Sequence, residues 1–371
     1  MSGMRPSTTG VYHNPHDYRP HIAPEQTLNS HFRAQGYYVA GAGKIYHGGG
    51  GRREEWDDYA PRAKLKSEGV FESEAIGALK WAQLKGGDDV LQDYHTVSYC
   101  IDQLNQSHEK PFFLACGIFR PHLPWHVPQK YFDLHPLESI QLPPYQEGDL
   151  DDLPPSGLKN AGADRDHRKV REAGAWKRLI RGYLASVSYA DAQLGRLLDA
   201  FEKSEAAQNT IIVLWGDHGW HLGEKHHWRK FALWEEATRA PLIWVVPGVT
   251  PRGKISRRTV DFMSIYPTLC DLANLPRPEH VEGPSIRPLL IQPDAPWDRP
   301  ALTTHGFQRH ALRSERWRYI RYDNGDEELY DELTDPYEWT NLAQKPEYAS
   351  VKQSLSSWFP SHNQAEVARK K

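Results

Sequence analysis

Cysteine is scarce. The 371 residues hold three, Cys100, Cys116 and Cys270, too few and too widely spaced for a disulfide framework or a zinc cluster. Two of them sit inside apolar runs, where cysteine serves as a small core residue. Long apolar runs are missing too: none approaches the ~20 residues that a bilayer-spanning helix needs. The opening Met1-Ser-Gly-Met-Arg-Pro-Ser-Thr-Thr-Gly10 carries no apolar signal-peptide core. Nor does either sign of charge dominate. Lys and Arg number 45 against 48 Asp and Glu, a formal net charge of −3, which gives no electrostatic case for nucleic acid or an anionic membrane as partner. No internal repeat is visible, and the one low-complexity element is the basic tail Ala368-Arg-Lys-Lys371.

What is present is enough apolar residue, 39%, for one large core with a small appended layer, and an alternation of helical and strand patterns. Glu25 to Gln35 reads as a helix ended by Gly36, and Tyr37 to Ala40 as a short strand. Asp88 to Gln106 is a helix, followed by Pro111 to Ile118 as a buried strand. From Ser139 to Lys169 the density of Pro, Gly and Asp indicates a long surface excursion. Leu179, Tyr183, Val187, Ala190, Leu194 and Leu198 recur at helical spacing within a long helix from Arg171 to Lys203. Thr210 to Leu214 and Pro241 to Val246 read as strands, the first of them buried, and Asp261 to Ala273 as a helix. Strands alternating with helices predict an α/β fold with a mostly parallel central sheet flanked by helices. Near Arg299 the texture changes to short strands, Ala301–His305, Ala311–Arg313, Trp317–Tyr322 and Glu328–Tyr330, and then a helix from about Glu347 to Phe359. The expected organisation is an α/β domain over 1–298 and a small C-terminal antiparallel sheet with one helix over 299–371.

Chemistry gathers in three loops, each following a predicted strand. Gly41-Ala-Gly-Lys44-Ile-Tyr-His47-Gly-Gly-Gly-Gly51 matches neither a P-loop nor a dinucleotide fingerprint. Phe119-Arg-Pro-His122-Leu-Pro-Trp-His126 follows the Pro111 strand. Trp215-Gly-Asp217-His218-Gly-Trp-His221-Leu-Gly-Glu-Lys225-His226-His227-Trp-Arg-Lys230 follows the Thr210 strand. Lys44 could be a solvated lysine, His47 a cap of the glycine turn and His122 a packed loop imidazole. Equivalent positions beyond strand carboxyl ends favour convergence in one crevice. Lysines, imidazoles and an Asp-bound cation suit a tetrahedral oxyanion: the positive groups neutralise its charge and an imidazole protonates a leaving oxygen.

Taken together, Gly-Lys44-Ile-Tyr-His47, Arg-Pro-His122-Leu-Pro-Trp and the Asp217–Lys230 stretch resemble the type I sulfatases of the alkaline phosphatase superfamily. Within them the chain is most similar to the iduronate 2-sulfatase-like branch. Tyr183-Leu-Ala-Ser-Val-Ser-Tyr-Ala-Asp191, Thr238-Arg-Ala-Pro241, Asp261 with Tyr266-Pro-Thr268, and Glu328-Leu-Tyr330-Asp331 add to the likeness in the same order along the chain. The resemblance implies an alkaline phosphatase-like fold and a sulfuric ester hydrolase acting on sulfated saccharides. It implies Asp217 and His218 as ligands of Ca2+, a hard cation suited to the carboxylate. It also implies that Lys44 and His47 hold the sulfate and assist a formylglycine, that His122 is acid to the leaving alcohol, and that Lys230 neutralises a sulfate oxygen. Lys225, His221, His226 and His227 have no counterpart and are expected to line the surroundings.

The chain departs from the family at the nucleophile. The formylglycine derives from a cysteine in Cys-x-Pro-Ser-Arg or Cys-x-Ala-x-Arg, and none of the three cysteines has that context. An aspartate pair that would complete the calcium site is likewise missing, and Met1-Ser-Gly-Met-Arg-Pro6 resembles the segment just after the cysteine motif. The expectation is therefore a sequence lacking the N-terminal segment, with an incomplete calcium site and no hydrolysis by these residues alone. Other readings are a non-catalytic relative binding sulfated glycans, and a phosphodiesterase or phosphonate hydrolase of the same superfamily. Full-length relatives are expected to be periplasmic, secreted or lysosomal.

Overall fold

The computed structural model describes residues 1–47, 51–162 and 165–369. Gly48–Gly50 of the glycine loop, residues 163 and 164 of the excursion, and Lys370 and Lys371 of the basic tail lie outside the described residues. The chain forms two compact units interleaved in sequence. One comprises Asn29–Leu142 and Asp164–Thr210, the other Met1–Leu28, Pro143–Ala163 and Ile211–Lys371.

In the first unit, β1 (Tyr38–Gly43) is flanked by β2 (Asp58–Tyr59) and, further along the sequence, β5 (Phe112–Gly117), all parallel. The β1–β5 register runs from Tyr38↔Phe112 to Gly43↔Gly117, so both strands end at the same level. Helix Gln92–Leu104 packs on them, with Val97 and Cys100 of the helix and Val39 and Ala42 of β1 all fully buried. A second sheet, absent from the expectations, joins the antiparallel hairpin β3 (Val70–Ile76) and β4 (Leu79–Leu84) to β6 (Trp125–Pro128), parallel to β4. The long helix Trp176–Lys203 covers it. Gly182 allows that packing, since a Cβ there would lie 2.8 Å from Trp81 Cβ. The helix starts later than its periodicity predicts because Gly174, at φ +55°, separates it from helix His167–Glu172.

In the second unit, β7 (Ile212–Trp215) pairs antiparallel with β10 (Leu242–Val245), and between them lie the two-residue strands β8 (His221–Leu222) and β9 (Trp228–Arg229). The strands predicted around Thr210 and Pro111 form, yet they are not buried as expected. β7 is half-buried with Trp215 exposed, and most of β5 is half-buried. The pair β7–β10 is two strands wide, and its apolar residues Ile243 and Val245 also remain exposed.

The C-terminal antiparallel sheet has the order β11 (Ala301–Thr304), β12 (His310–Arg313), β13 (Trp317–Arg321), β14 (Glu327–Asp331). Successive side chains on a strand face opposite ways, and here both faces are covered. Ala311, Ile320, Tyr322 and Tyr330 join Leu153, Ala161, Ala232, Leu233, Trp234 and Ala237 in one cluster. Leu312, Tyr319 and Leu329 join Leu355 and Phe359 in the other. Residues 364–367 strap the start of the chain: Gln364 N donates to Ser7 O, Val367 N to Gly10 O, and Tyr12 Oη to Gln364 O.

The excursion after Ser139 is more ordered than its composition predicts. It contains helix Pro155–Ala161, and Asp149, Leu153 and Ala161 are buried. Gly157 packs so tightly that a Cβ would sit 2.5 Å from Glu328 Oε1. Among the described residues no helix is long and apolar enough to cross a membrane.

Candidate functional site

Lys44 follows the last residue of β1, and its backbone N–H donates to Gly117 O at 2.8 Å. Two glycines make that approach possible. A Cβ on Gly43 would lie 2.2 Å from Gly117 O, and one on Gly117 would lie 2.4 Å from Lys44 C and O. Gly43 also takes φ +80°, which favours glycine. Lys44 Nζ stands 5.8 Å from the centroid of Phe119, whose ring lies 4.9 Å from that of His122. The structure therefore brings Lys44 and His122 onto one aromatic ring, as expected of two loops leaving neighbouring parallel strands. His47 is exposed at the edge of the described part of the glycine loop.

Asp93, from helix Gln92–Leu104, fixes the His122 loop by accepting from Phe119 N (2.7 Å) and Arg120 N (3.1 Å). Burial moves its pKa up, against the pull of those N–H groups and of Arg120. His122 Nδ1 bonds the carbonyl of Leu123 at 2.7 Å. A carbonyl only accepts, so Nδ1 carries a proton and Nε2 is the atom that gains or loses one.

In the other unit, Asp217 and His218 lie just past β7. Gly219 N donates to Ala237 O, and a Cβ on Gly219 would meet Glu236 O at 2.0 Å, so only glycine lets the loop lie this close to residues 236–239. His218 Nδ1 donates to Gly219 O at 2.8 Å. Its Nε2 then faces two groups, Asp217 Oδ1 at 3.4 Å and Lys230 Nζ at 2.8 Å. Carboxylate, imidazole and ammonium thus meet at one point, with Asp217 61% exposed. Asp217, His218 and Lys230 were singled out from sequence and are brought together here.

Calcium takes six to eight oxygen ligands. Asp217 supplies a carboxylate and His218 a nitrogen, and among the described residues no group of three or more His, Cys, Asp or Glu could hold a metal ion. Alone, these two donors do not fit a calcium site, and no step is derived through one.

The other polar residues of this loop fasten it. Lys225, at φ +52° and 2% exposed, donates to Asp149 Oδ1 at 2.7 Å and to Glu338 O. His226 Nε2 bonds Gln146 O at 3.0 Å, and His227 Nδ1 bonds Ala161 O at 2.8 Å. His221 is fully buried, and burial together with His227 holds its pKa well below the ordinary imidazole value. Glu224 Oε2 accepts from Leu222 N at 2.6 Å, and burial pushes its pKa up to about 7. Sequence reasoning missed Asp149, Glu338 and Arg318. The buried Arg318 guanidinium donates to Leu233 O and pairs with Glu235, Glu332 and Glu338, so it anchors the segment after Lys230. Nothing in local spacing signals the pairing of Lys225 with Asp149 and Glu338, 76 and 113 positions away.

None of the cysteines joins these groups. Cys100 and Cys270 are buried. A hydrogen bond with Cys116 and then burial push the Cys100 thiol up, and burial pushes Cys270 up to about 11.

The architecture is an α/β fold with a small C-terminal antiparallel sheet. Among solved structures it is similar to a protein in complex with its substrate D-glucosamine-2-N,6-O-disulfate, with a TM-score of 0.74 and 20% identity over 96% of this chain and 85% of that one. It is similar in fold to the phosphonate monoester hydrolase of Silicibacter pomeroyi, with a TM-score of 0.76 and 16% identity over 96% and 83% of the two chains. Residues 1–275 match the family model Sulfatase, and residues 223–364 match that of the C-terminal region of N-sulphoglucosamine sulphohydrolase. The chain belongs to the sulfatase family. It is 38% identical to a sulfatase of Formosa agariphila, over 98% of this chain and 76% of that protein. It is 31% identical to human iduronate 2-sulfatase over 77% of this chain, and covers only 61% of the human protein.

Proposed function

We propose that the protein is a sulfuric ester hydrolase of the iduronate 2-sulfatase-like branch, acting on sulfated saccharides. The observation that carries this is the meeting of Lys230, His218 and Asp217 at the carboxyl end of β7. In one unit Lys230 is assigned to neutralising a sulfate oxygen; in the other, Lys44 and His47 are assigned to holding sulfate and His122 to protonating a leaving alcohol through Nε2. Asp217 and His218, which by themselves do not make a calcium site, would supply two of the ligands of a Ca2+. The relatives named for sulfate esters, together with a family model covering residues 1–275, favour sulfate over phosphate esters. No cysteine here lies in a formylglycine motif, so these residues by themselves are expected to bind sulfated ligands without turnover.

The test is calorimetric titration with glucosamine 6-sulfate and with glucosamine. The sulfated sugar should bind at least tenfold more tightly. Lys230→Ala should remove about 1.5–3 kcal/mol, the worth of a hydrogen bond to a charged group, or roughly ten- to hundredfold in affinity. Equal affinity for the two sugars overturns the reading. Repeating the titration with Ca2+ and then EDTA tests the cation, and indifference to both would remove Ca2+ from the proposal.

A further inference from the structure

We propose that Phe231, His305 and His13 form a pyranose-binding subsite beside Lys230. This rests on the sulfated-saccharide reading and adds to it the part of the ligand that is not sulfate.

Phe231 directly follows Lys230 and is 46% exposed, while its neighbours Ala232, Leu233 and Trp234 are buried. Lys230 Nζ is 5.7 Å from its ring centroid. The His305 ring continues the surface, 5.9 Å away and tilted by 30°. His13 meets His305 edge-on, 5.9 Å away at 90°. Gly306, next to His305, turns at φ +98°, a conformation that favours glycine. Glu366, from the C-terminal strap, holds His13 from behind with Oε1 3.4 Å from Nε2.

The chemistry of this surface is that of a sugar ring rather than of a second anion. An exposed aromatic face takes the C–H face of a pyranose, and a neutral imidazole both donates to and accepts from hydroxyls. Burial, then His13 and Arg309, lowers the His305 pKa, which keeps that ring neutral near pH 7. Arg309 is engaged by Asp323 at 2.8 Å, so no uncommitted guanidinium invites another sulfate. Lys230 takes the anion, and the adjoining rings take the sugar that carries it. Isolated exposed aromatics are common. This one is distinguished by sitting next to the sulfate-binding lysine and beside the His305 imidazole, which His13 meets edge-on.

Two probes separate the subsite from the sulfate site: inorganic sulfate, which needs only the ammonium, and glucosamine 6-sulfate, which needs both. Phe231→Ala and His305→Ala should each weaken glucosamine 6-sulfate about tenfold and leave inorganic sulfate unchanged. Lys230→Ala should weaken both. Phe231→Tyr keeps a ring and should retain sugar binding, which guards against loss through misfolding. Unchanged glucosamine 6-sulfate affinity in Phe231→Ala and His305→Ala overturns the subsite and leaves the sulfate reading standing, and so does equal weakening of both probes. Failure of the unaltered protein to bind either probe overturns the sulfate reading and the subsite with it.

Discussion

Glu224 places a carboxyl of pKa about 7 inside the loop that carries Asp217, His218 and Lys230. Burial raises this pKa, so the folded state holds the proton more tightly than the unfolded chain, where a Glu titrates near ~4.3. The stabilisation is complete below that unfolded value and is lost progressively as pH rises through about 7. Glu224→Gln cannot ionise. Its melting temperature relative to the unaltered protein should therefore improve between pH 5 and pH 7.5, and parallel curves over that interval would show that the carboxyl does not titrate there. The same loop shows how far single residues are legible. Dense ionisable groups after a strand marked it as a site, and Asp217, His218 and Lys230 do meet. His221, Lys225 and His227 have the same residue types in the same stretch but serve as fasteners. Residue type and spacing could not separate the two roles, because the deciding partners, Asp149, Ala161 and Glu338, are remote in sequence.

At the scale of elements, the β1 and β5 ends depend on two backbones lying closer than any side chain permits. Gly117→Ala would put a Cβ 2.4 Å from backbone atoms of Lys44, and backbone cannot swing aside as a side-chain tip can. A loss of about 1–3 kcal/mol, typical of overpacking, should appear in denaturant unfolding, with Lys44 displaced and sulfate binding weakened. Unfolding at an unchanged denaturant concentration would contradict the close approach. Strong periodicity made the helices over 92–104 and 176–203 and the four C-terminal strands readable. The hairpin β3–β4 escaped because most of β3 is exposed and so carries no apolar alternation. The helix in the excursion escaped because it is short and rich in Pro and Gly, and its burial comes from Glu328 and the C-terminal sheet, which local sequence does not reveal.

At the scale of the whole molecule, family, fold class and the C-terminal sheet were legible because several motifs occur in order along the chain. The interleaving of the units was not, since a compact unit assembled from three separate segments leaves no mark on composition. None of the three cysteines among the 371 residues lies in a formylglycine motif, and Cys100 and Cys270 are buried. Incubation of these residues with an aryl sulfate should release no sulfate above a His122→Ala control. Release above that control would show that another group serves as nucleophile.

The interleaving also sets an order in time. Chains emerge from the ribosome amino terminus first, and domains generally fold as units. The unit carrying Lys44 and His122 is complete in sequence once Thr210 has been made, whereas the unit carrying Asp217 and Lys230 still waits for its last segment, Ile211–Lys371. Until that segment arrives, residues 1–28 and 143–162 have no sheet to settle on, and Asp149 has yet to meet Lys225. Chains ending at Thr210 and released from the ribosome should therefore contain one protected unit and two protease-sensitive stretches, the latter becoming resistant only when Ile211–Lys371 is also present.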